Sequence, residues 1–132
     1  MADLTQALVA RLLAAPAVAA IAGAKVHWSK VPQGTALPYV RLQVVSDPRT
    51  QHLKGYDAGR QTRVQADCFA AGYGQARTLA LALIEAMALP AEIAGVRFGR
   101  TRAEGPRDLG EDAPAGFIHR MSVDLLIEHT TI

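Results

Sequence analysis

The chain has 132 residues, 50% of them hydrophobic and 20% charged, with a net charge of +2. This length predicts one domain over residues 1–132 with a sizeable core, and the hydrophobic content excludes wholesale disorder. The net charge is too small to indicate nucleic-acid binding by itself. Cys68 is the single cysteine, which excludes an intramolecular disulfide and favours a reducing, cytosolic environment.

The first predicted element is a helix. Asp3 is a favourable N-cap with Gln6 three residues later, apolar residues recur at helical spacing, and Pro16 ends or kinks the helix. Residues 17–21 are expected to add a short helical turn. Because Arg11 and Pro16 interrupt the apolar stretch, we predict no transmembrane helix in it. Because no basic n-region leads into an apolar h-region, we predict no signal peptide.

Alternation of apolar and polar residues predicts five strands along the rest of the chain. They are residues 25–31, 39–45, 61–70, 95–102 and 117–129. The side chains expected to point into the core from the second and last strands are Val40, Leu42, Val44, Phe117, Met121, Val123, Leu125 and Ile127. A second helix follows the turn "AGYGQ", with apolar residues at helical spacing, and Pro90 stops it.

The order of these elements predicts the fold class. Strands are joined mostly by loops rather than by crossover helices, which favours an α+β domain. We expect a mostly antiparallel, or mixed, sheet of four to five strands with two helices packed on one face.

Three segments do not fit a strand or a helix. Residues 31–38 ("VPQGTALP") contain two prolines and a glycine directly before a strongly alternating strand, and they predict an irregular connector. Residues 46–60 are polar and rich in turn formers, which predicts a long functional loop or a projecting hairpin arm. Residues 104–114 predict an acidic loop.

The charges are unevenly distributed along the chain. Residues 1–66 carry a net charge of +5, and residues 67–132 a net charge of −3. Two interpretations stay open. Either a basic half meets an acidic half of another copy, head to tail, or the two halves interleave in the fold and cancel at its surface.

No residue pattern predicts catalysis, a metal site or a cofactor site. Cys68 is expected on the apolar face of a strand, where cysteine behaves as a small hydrophobe. His27 and His119 lie on predicted strands that adjacent pairing would bring together, but the favoured reading of His119 is a residue at the core edge. Residues 72–74 ("GYG") precede a helix, where phosphate binds, but they lack a full nucleotide fingerprint and are better explained as a turn with positive φ.

A small basic group precedes the acidic loop. It consists of Arg97, Arg100 and Arg102. Phosphate contacts are one interpretation, but no aromatic platform accompanies these side chains, so a solvated strand face or a subunit contact is favoured.

The arrangement resembles a known family. The likeness lies in "VPQGTALPYV", in the passage "FAAGYGQARTLALA" from a strand into a helix, and in the order of elements from about residue 4 to residue 128. It is similar to the small tail-completion, or tail-terminator, proteins of long-tailed bacteriophages and gene transfer agents. These motifs are structural rather than catalytic.

The resemblance implies a structural protein without catalysis or cofactor. It would form a ring, expected to be a hexamer, on the head-proximal end of the tail tube, stop tail polymerisation and offer the head connector a joining surface. Its partners would be copies of itself, the tail tube protein and the connector or stopper protein, with DNA passing through the lumen without sequence-specific binding and no membrane involved. Assembly in the bacterial host cytoplasm would precede a place in the virion.

The three irregular segments supply the expected contacts with neighbouring subunits or partners. A ring needs one patch to meet a different patch on its neighbour, and loops on a rigid scaffold suit that role. The predicted interface residues are Pro32, Gln33, Pro38, Arg49, Lys54, Arg60, Asp108, Glu111 and Asp112. The alternatives are a head–tail adaptor or connector stopper, and a small enzyme or phosphate-binding domain that uses the "GYG" turn.

Overall fold

The computed structural model describes residues 3–48, 51–52, 55–56 and 59–131. The helices are α1 (Leu4–Ala14), α2 (Pro16–Ala22) and α3 (Tyr73–Met87). The first five strands are β1 (Val26–Trp28), β2 (Tyr39–Ser46), β3 (Gln51–His52), β4 (Gly55–Tyr56) and β5 (Arg60–Ala70). The remaining strands are β6 (Ala91–Ile93), β7 (Val96–Asp108), β8 (Glu111–Ala113) and β9 (Gly116–Thr131).

Seven of these strands form one mixed sheet. Its order is β1-β2-β5-β9-β7-β6, with β8 paired to one end of β9. The pair β1–β2 is parallel, and the other described pairs are antiparallel. Strands β3 and β4 form a separate two-stranded hairpin within the segment that the sequence predicted as a loop or a hairpin arm.

The α+β class and the mixed sheet are confirmed, but the predicted number of elements was wrong. The sheet has seven strands rather than four to five, because β6 and β8 are three residues long, too short for alternation to be visible. The predicted acidic loop at residues 104–114 contains the end of β7 and the whole of β8. A third helix, α2, stands where only a short turn was expected, and Pro16 begins it in the favourable first position rather than kinking α1.

The core lies between one face of the sheet and the helices. Helix α3 packs on β5, β7 and β9, while α2 packs on α3 and β2 and α1 contacts β1 and β6. Six of the eight side chains predicted to point into the core from β2 and β9 are buried: Val40, Leu42, Met121, Val123, Leu125 and Ile127. Two of the predictions were wrong: Phe117 is 48% exposed and Val44 is 46% exposed, because each lies near the end of its strand, beyond the buried core.

The topology of the sheet explains why residues 31–38 form an irregular connector. Val26 of β1 pairs with Val40 of β2 in parallel, so the chain must run back past the length of β1 before β2 begins. The Lys25 Nζ donates to the Ala36 carbonyl oxygen at 2.9 Å, and the Thr35 hydroxyl donates to the Pro32 carbonyl oxygen at 2.6 Å, so the crossover is hydrogen-bonded along its length.

Side-chain hydrogen bonds fix α1 on the sheet. The predicted N-cap is confirmed, since the Asp3 carboxylate accepts a hydrogen bond from the Thr5 amide at 2.9 Å. The Trp28 indole donates to the Thr5 carbonyl oxygen at 2.9 Å. Arg11 is buried, donates to the Leu89 carbonyl oxygen at 2.6 Å and lies over the Phe98 ring. Among the described residues no single helix is long and apolar enough to cross a membrane, although α1 and α2, bent by 86°, pass that test together by length and composition.

Candidate interaction surfaces

The sheet face opposite the helices carries a row of paired charges. Asp67 of β5 lies on this face between β2 and β9, and its carboxylate accepts from Arg41 at 3.0 Å and from Arg120 at 3.2 Å. Although it faces away from the core, the Asp67 side chain has no exposed surface. Burial alone would raise the pKa of this carboxyl, but hydrogen bonds from both arginines and from Gln65 and Ser122 outweigh it and hold the pKa below its ordinary value.

The same two arginines lie over Phe69, one ring of a stacked aromatic pair. The rings of Tyr39 and Phe69 are stacked, with centroids 4.9 Å apart. The guanidinium carbons of Arg41 and Arg120 lie 5.3 and 5.7 Å from the Phe69 ring centroid, which is within range of a cation–π interaction. Arginine, carboxylate and aromatic ring therefore form one cluster on the outer sheet face.

A second charged row crosses the same face. Arg63 of β5 donates to Asp124 of β9 at 2.9 Å and lies 3.7 Å from Glu104 of β7, while Arg107 of β7 donates to Asp124 at 3.2 Å. Strand β9, from the acidic half of the chain, lies directly beside β5, from the basic half. The strands of the first half, β1, β2 and most of β5, lie on one side of the β5–β9 border and those of the second half on the other, and the Arg63–Asp124 pair joins them across it. Head-to-tail pairing of the two halves between copies stays a prediction.

One end of the sheet brings two of the predicted interface segments together. A cavity of about 560 Å³ lies there, lined by Ser29, Lys30, Val31, Tyr39, Arg41, Phe69, Glu111 and Arg120. Both ends of the connector and the start of β8 therefore border the arginine cluster. Among the predicted interface residues of these segments, Pro38 is half-buried and five are exposed: Pro32, Gln33, Asp108, Glu111 and Asp112.

The third predicted segment lies at the other end of the sheet. Arg60 begins β5, and nine residues of extended chain separate it from Phe69, about 30 Å at 3.3 Å per residue. Arg60 forms an ion pair with Asp47, so its charge is already matched. Arg49 and Lys54 lie outside the described residues.

A buried polar cluster sits beside Arg60. The Thr62 hydroxyl donates to the Asp47 carboxylate at 2.9 Å and lies 2.8 Å from the Nε2 of His129, whose side chain is buried. Burial and the nearby Arg60 charge lower the pKa of His129, against a smaller opposite effect of Asp47. Sequence reasoning missed this cluster, because its three hydrogen-bonding residues come from separate segments and meet only when β5 pairs with both β2 and β9.

The other candidate sites do not assemble. The Cys68 side chain is buried, and burial raises the pKa of its thiol to about 12, so the residue acts as the hydrophobe predicted for it. His27 on β1 and His119 on β9 are three strand positions apart, about 14 Å at the usual spacing. Among the described residues, no group of three or more metal-binding side chains occurs.

Arg97, from the basic group, and Gly72, from the glycine motif, have local structural roles. Arg97 pairs with Glu92 of the neighbouring strand β6, its Nε donating at 3.0 Å. Gly72 caps α3 with an ordinary extended backbone, φ −115°, so the predicted need for positive φ in this turn was wrong.

Two solved structures share the fold of this chain. A chain from a structure described as the virion of a native gene transfer agent particle shares the fold, with a TM-score of 0.65 and 20% identity over 97% of this chain and 93% of that one. A second solved structure matches with a TM-score of 0.55 and 14% identity over 98% and 97% of the two chains. No curated protein matches at a significant level.

The family follows from a comparison of the sequence with models of known protein families. The model of the tail completion protein gp17 matches residues 6–128. The chain therefore belongs to the tail completion family and is a structural protein of a phage-type tail, which confirms the resemblance seen in the sequence.

Proposed function

We propose that the protein forms a ring on the head-proximal end of the tail tube, stops tail polymerisation there and provides the surface to which the head connector joins. The observation that carries this proposal is the match to the tail completion family over residues 6–128, nearly the whole chain. The ring is a homo-oligomer, with six subunits as the expected number. DNA passes through its lumen, assembly takes place in the host cytoplasm, and the protein needs no cofactor and catalyses no reaction.

The two ends of the sheet support a position between two partners. A protein stacked between tube and connector must present two different surfaces, as must a subunit that contacts its ring neighbours head to tail. The interface segments predicted from the sequence lie at the two ends of β5, about 30 Å apart. We assign the end with the connector and β8 to one partner and the end with residues 46–60 to the other.

Exposed apolar side chains at both ends support the same assignment. Phe117 and Leu109, 48% and 43% exposed, flank β8 at one end. Val44 and Val45, 46% and 54% exposed, precede Asp47 at the other. Large apolar side chains beside charged ones are typical of protein interfaces, in which an apolar centre is surrounded by a polar rim.

Deletion of the gene in its producing phage or element tests the proposal. Negative-stain images of the lysate should show DNA-filled heads beside separate, overlong tails. Normal joined particles would overturn the proposal, and heads that leak their DNA and carry no tails would replace it with a connector stopper.

Substitutions at the two ends test the assignment of surfaces. Phe117→Glu at the β8 end, and the pair Arg49→Glu and Lys54→Glu in the sequence-predicted segment 46–60, should each leave the subunit folded and block head–tail joining. The matched control is Arg77→Glu, an exposed side chain of α3 outside the predicted interface segments. Joined particles with the Phe117→Glu variant would remove the β8 end from the assignment, and joined particles with the double variant would remove the other end.

A further inference from the structure

The cavity between the connector and β8 is a charged pocket whose charges do not balance. Lys30, Arg41 and Arg120 contribute three positive charges to it. Two carboxylates oppose them, Asp67 beneath the arginines and Glu111 on the cavity wall. Lys30 and Glu111 form no ion pair with any residue that the structure describes. The pocket therefore keeps a net charge of +1.

The two arginines are short of acceptors. Each donates an N–H to the same oxygen of Asp67, Oδ2, although a guanidinium carries five N–H donors. The Nε of Arg41 and the Nε of Arg120 are buried and have no hydrogen-bond partner within the described chain. The two side chains remain 28% and 23% exposed and line the cavity. One further carboxylate would accept hydrogen bonds from the exposed part of the guanidinium groups and supply the missing negative charge.

The arginines are also held in position before any ligand arrives. Asp67 fixes one side of both guanidinium groups, and the Phe69 ring supports them from below. Arginine side chains lose much rotamer freedom when they bind, and a prior constraint of this kind lowers that cost. Tyr39 extends the aromatic surface beside Phe69, where the methylene groups of an entering side chain can pack.

From this geometry we infer that the pocket binds an acidic side chain, a glutamate or aspartate, presented by the protein that adjoins this end of the subunit. The inference deepens the proposed function, since an adjoining protein in the tail is the source of the carboxylate. A nucleic-acid backbone fits less well, because it binds along rows of cations on open surfaces, whereas here a carboxylate, that of Glu111, lines the same cavity.

The test uses the full purified chain and a capped tetraglutamate peptide as the probe, with capped tetraglutamine as the neutral control. Titration followed by ¹H–¹⁵N NMR should shift the Nε–H signals of Arg41 and Arg120, and only the acidic peptide should do so. Added salt should weaken the binding, because it is electrostatic. Absence of any shift in those two signals at saturating peptide would overturn the inference.

Rim substitutions test the pocket without disturbing the Asp67 cluster. Lys30→Glu should lower the affinity for the acidic peptide, and Glu111→Gln should raise it by roughly threefold, as expected for one partly exposed charge contact. The matched control is Asp112→Asn, next to Glu111 on β8 but not lining the cavity, which should leave the affinity unchanged. Equal effects of Glu111→Gln and Asp112→Asn on the affinity would overturn the assignment of the binding site to this pocket. They would mean that the affinity follows the net charge of the chain rather than a contact in the cavity.

Two further probes separate the possible sources of an anion. Inorganic phosphate and a short DNA duplex are titrated under the same conditions. Stronger shifts of the two arginine signals with DNA than with the acidic peptide would overturn the assignment to a protein side chain. Gene deletion tests the terminator role separately. Unjoined heads and tails on deletion, together with no binding of the acidic peptide, would overturn the inference about the pocket and leave the proposed function supported.

Discussion

Asp67 of β5 accepts a hydrogen bond at 3.2 Å from Arg120, which lies on the neighbouring strand β9, and the Asp67 side chain is completely buried. Arg41, on the other side, donates to the same oxygen at 3.0 Å. One carboxylate therefore holds together the three adjacent strands β2, β5 and β9 on the face that no described helix covers. The folded chain favours the charged form of this carboxylate.

Asp67→Asn should lower the free energy of unfolding by about 3 kcal/mol, because it leaves two partly buried guanidinium groups without their anion. Urea denaturation monitored by circular dichroism measures the change. Asp112→Asn is the matched control, since Asp112 is exposed and forms no ion pair with a described residue. A loss at Asp67 as small as that at Asp112 would show that the cluster does not stabilise the fold.

The Asp67 contribution also has a defined pH dependence. The pKa of the carboxyl is lower in the folded chain than its ordinary value of 3.8, so folding favours the charged form. This contribution is fully present above pH 3.8 and is lost as the pH falls through the folded pKa. In the Asp67→Asn variant this part of the acid sensitivity should disappear.

His129 predicts a second pH effect, at higher pH. Burial and Arg60 lower the pKa of its ring below the ordinary 6.5, so the unfolded chain takes up a proton there before the folded chain does. Stability should therefore be full above pH 6.5 and fall as the pH decreases through 6.5 toward the folded pKa. His129→Gln should flatten the dependence of the urea midpoint on pH in this range. An unchanged slope in the variant would mean that another group is responsible.

The elements that sequence reasoning predicted correctly are those whose pattern is local and long. The apolar spacing of α3 and the alternation of β9 are repeated often enough to fix which side faces the core. The missed elements, β6 and β8, are three residues each and exist because a partner strand lies beside them. The parallel pairing of β1 with β2 also depends on a long-range contact, so the connector's role as a crossover could not be predicted from its prolines.

The candidate surfaces were predictable only as segments. Prolines in residues 31–38 and acidic residues in 104–114 indicated that these segments are neither regular strands nor helices. The cavity shows that the two ends of the 31–38 connector lie near the start of β8. The arginine cluster was not predictable, because Arg41, Asp67 and Arg120 come from three strands whose register is set by tertiary pairing. Alternation along a strand indicates which face of the sheet a side chain takes, but it carries no information on which strands are neighbours.

Cys68 offers a direct test of the packing of β5. Its side chain has no exposed surface, and burial raises the pKa of the thiol to about 12, with a smaller effect of the Asp67 charge. The reactive thiolate is therefore scarce at neutral pH, and reagents cannot reach the sulfur. The folded chain should not react with Ellman's reagent, whereas the chain in concentrated urea should react fully. Rapid labelling of the folded chain would contradict the buried position.

Two glycines should respond to alanine with opposite signs. Gly105 lies where β7 shifts its register against β9, has a φ of +108°, and an added Cβ would come within 2.8 Å of the Ser122 carbonyl oxygen. Gly105→Ala should therefore lower the free energy of unfolding by about 2 kcal/mol, since it combines backbone strain with a steric clash.

Gly74 in the first turn of α3 has open space where its Cβ would be. Gly74→Ala should raise the free energy of unfolding by about 0.5 kcal/mol, because alanine loses less backbone entropy in a helix. Urea denaturation of the two variants beside the unmodified chain measures both changes, and a neutral Gly105→Ala would show that β7 can shift to admit the methyl group.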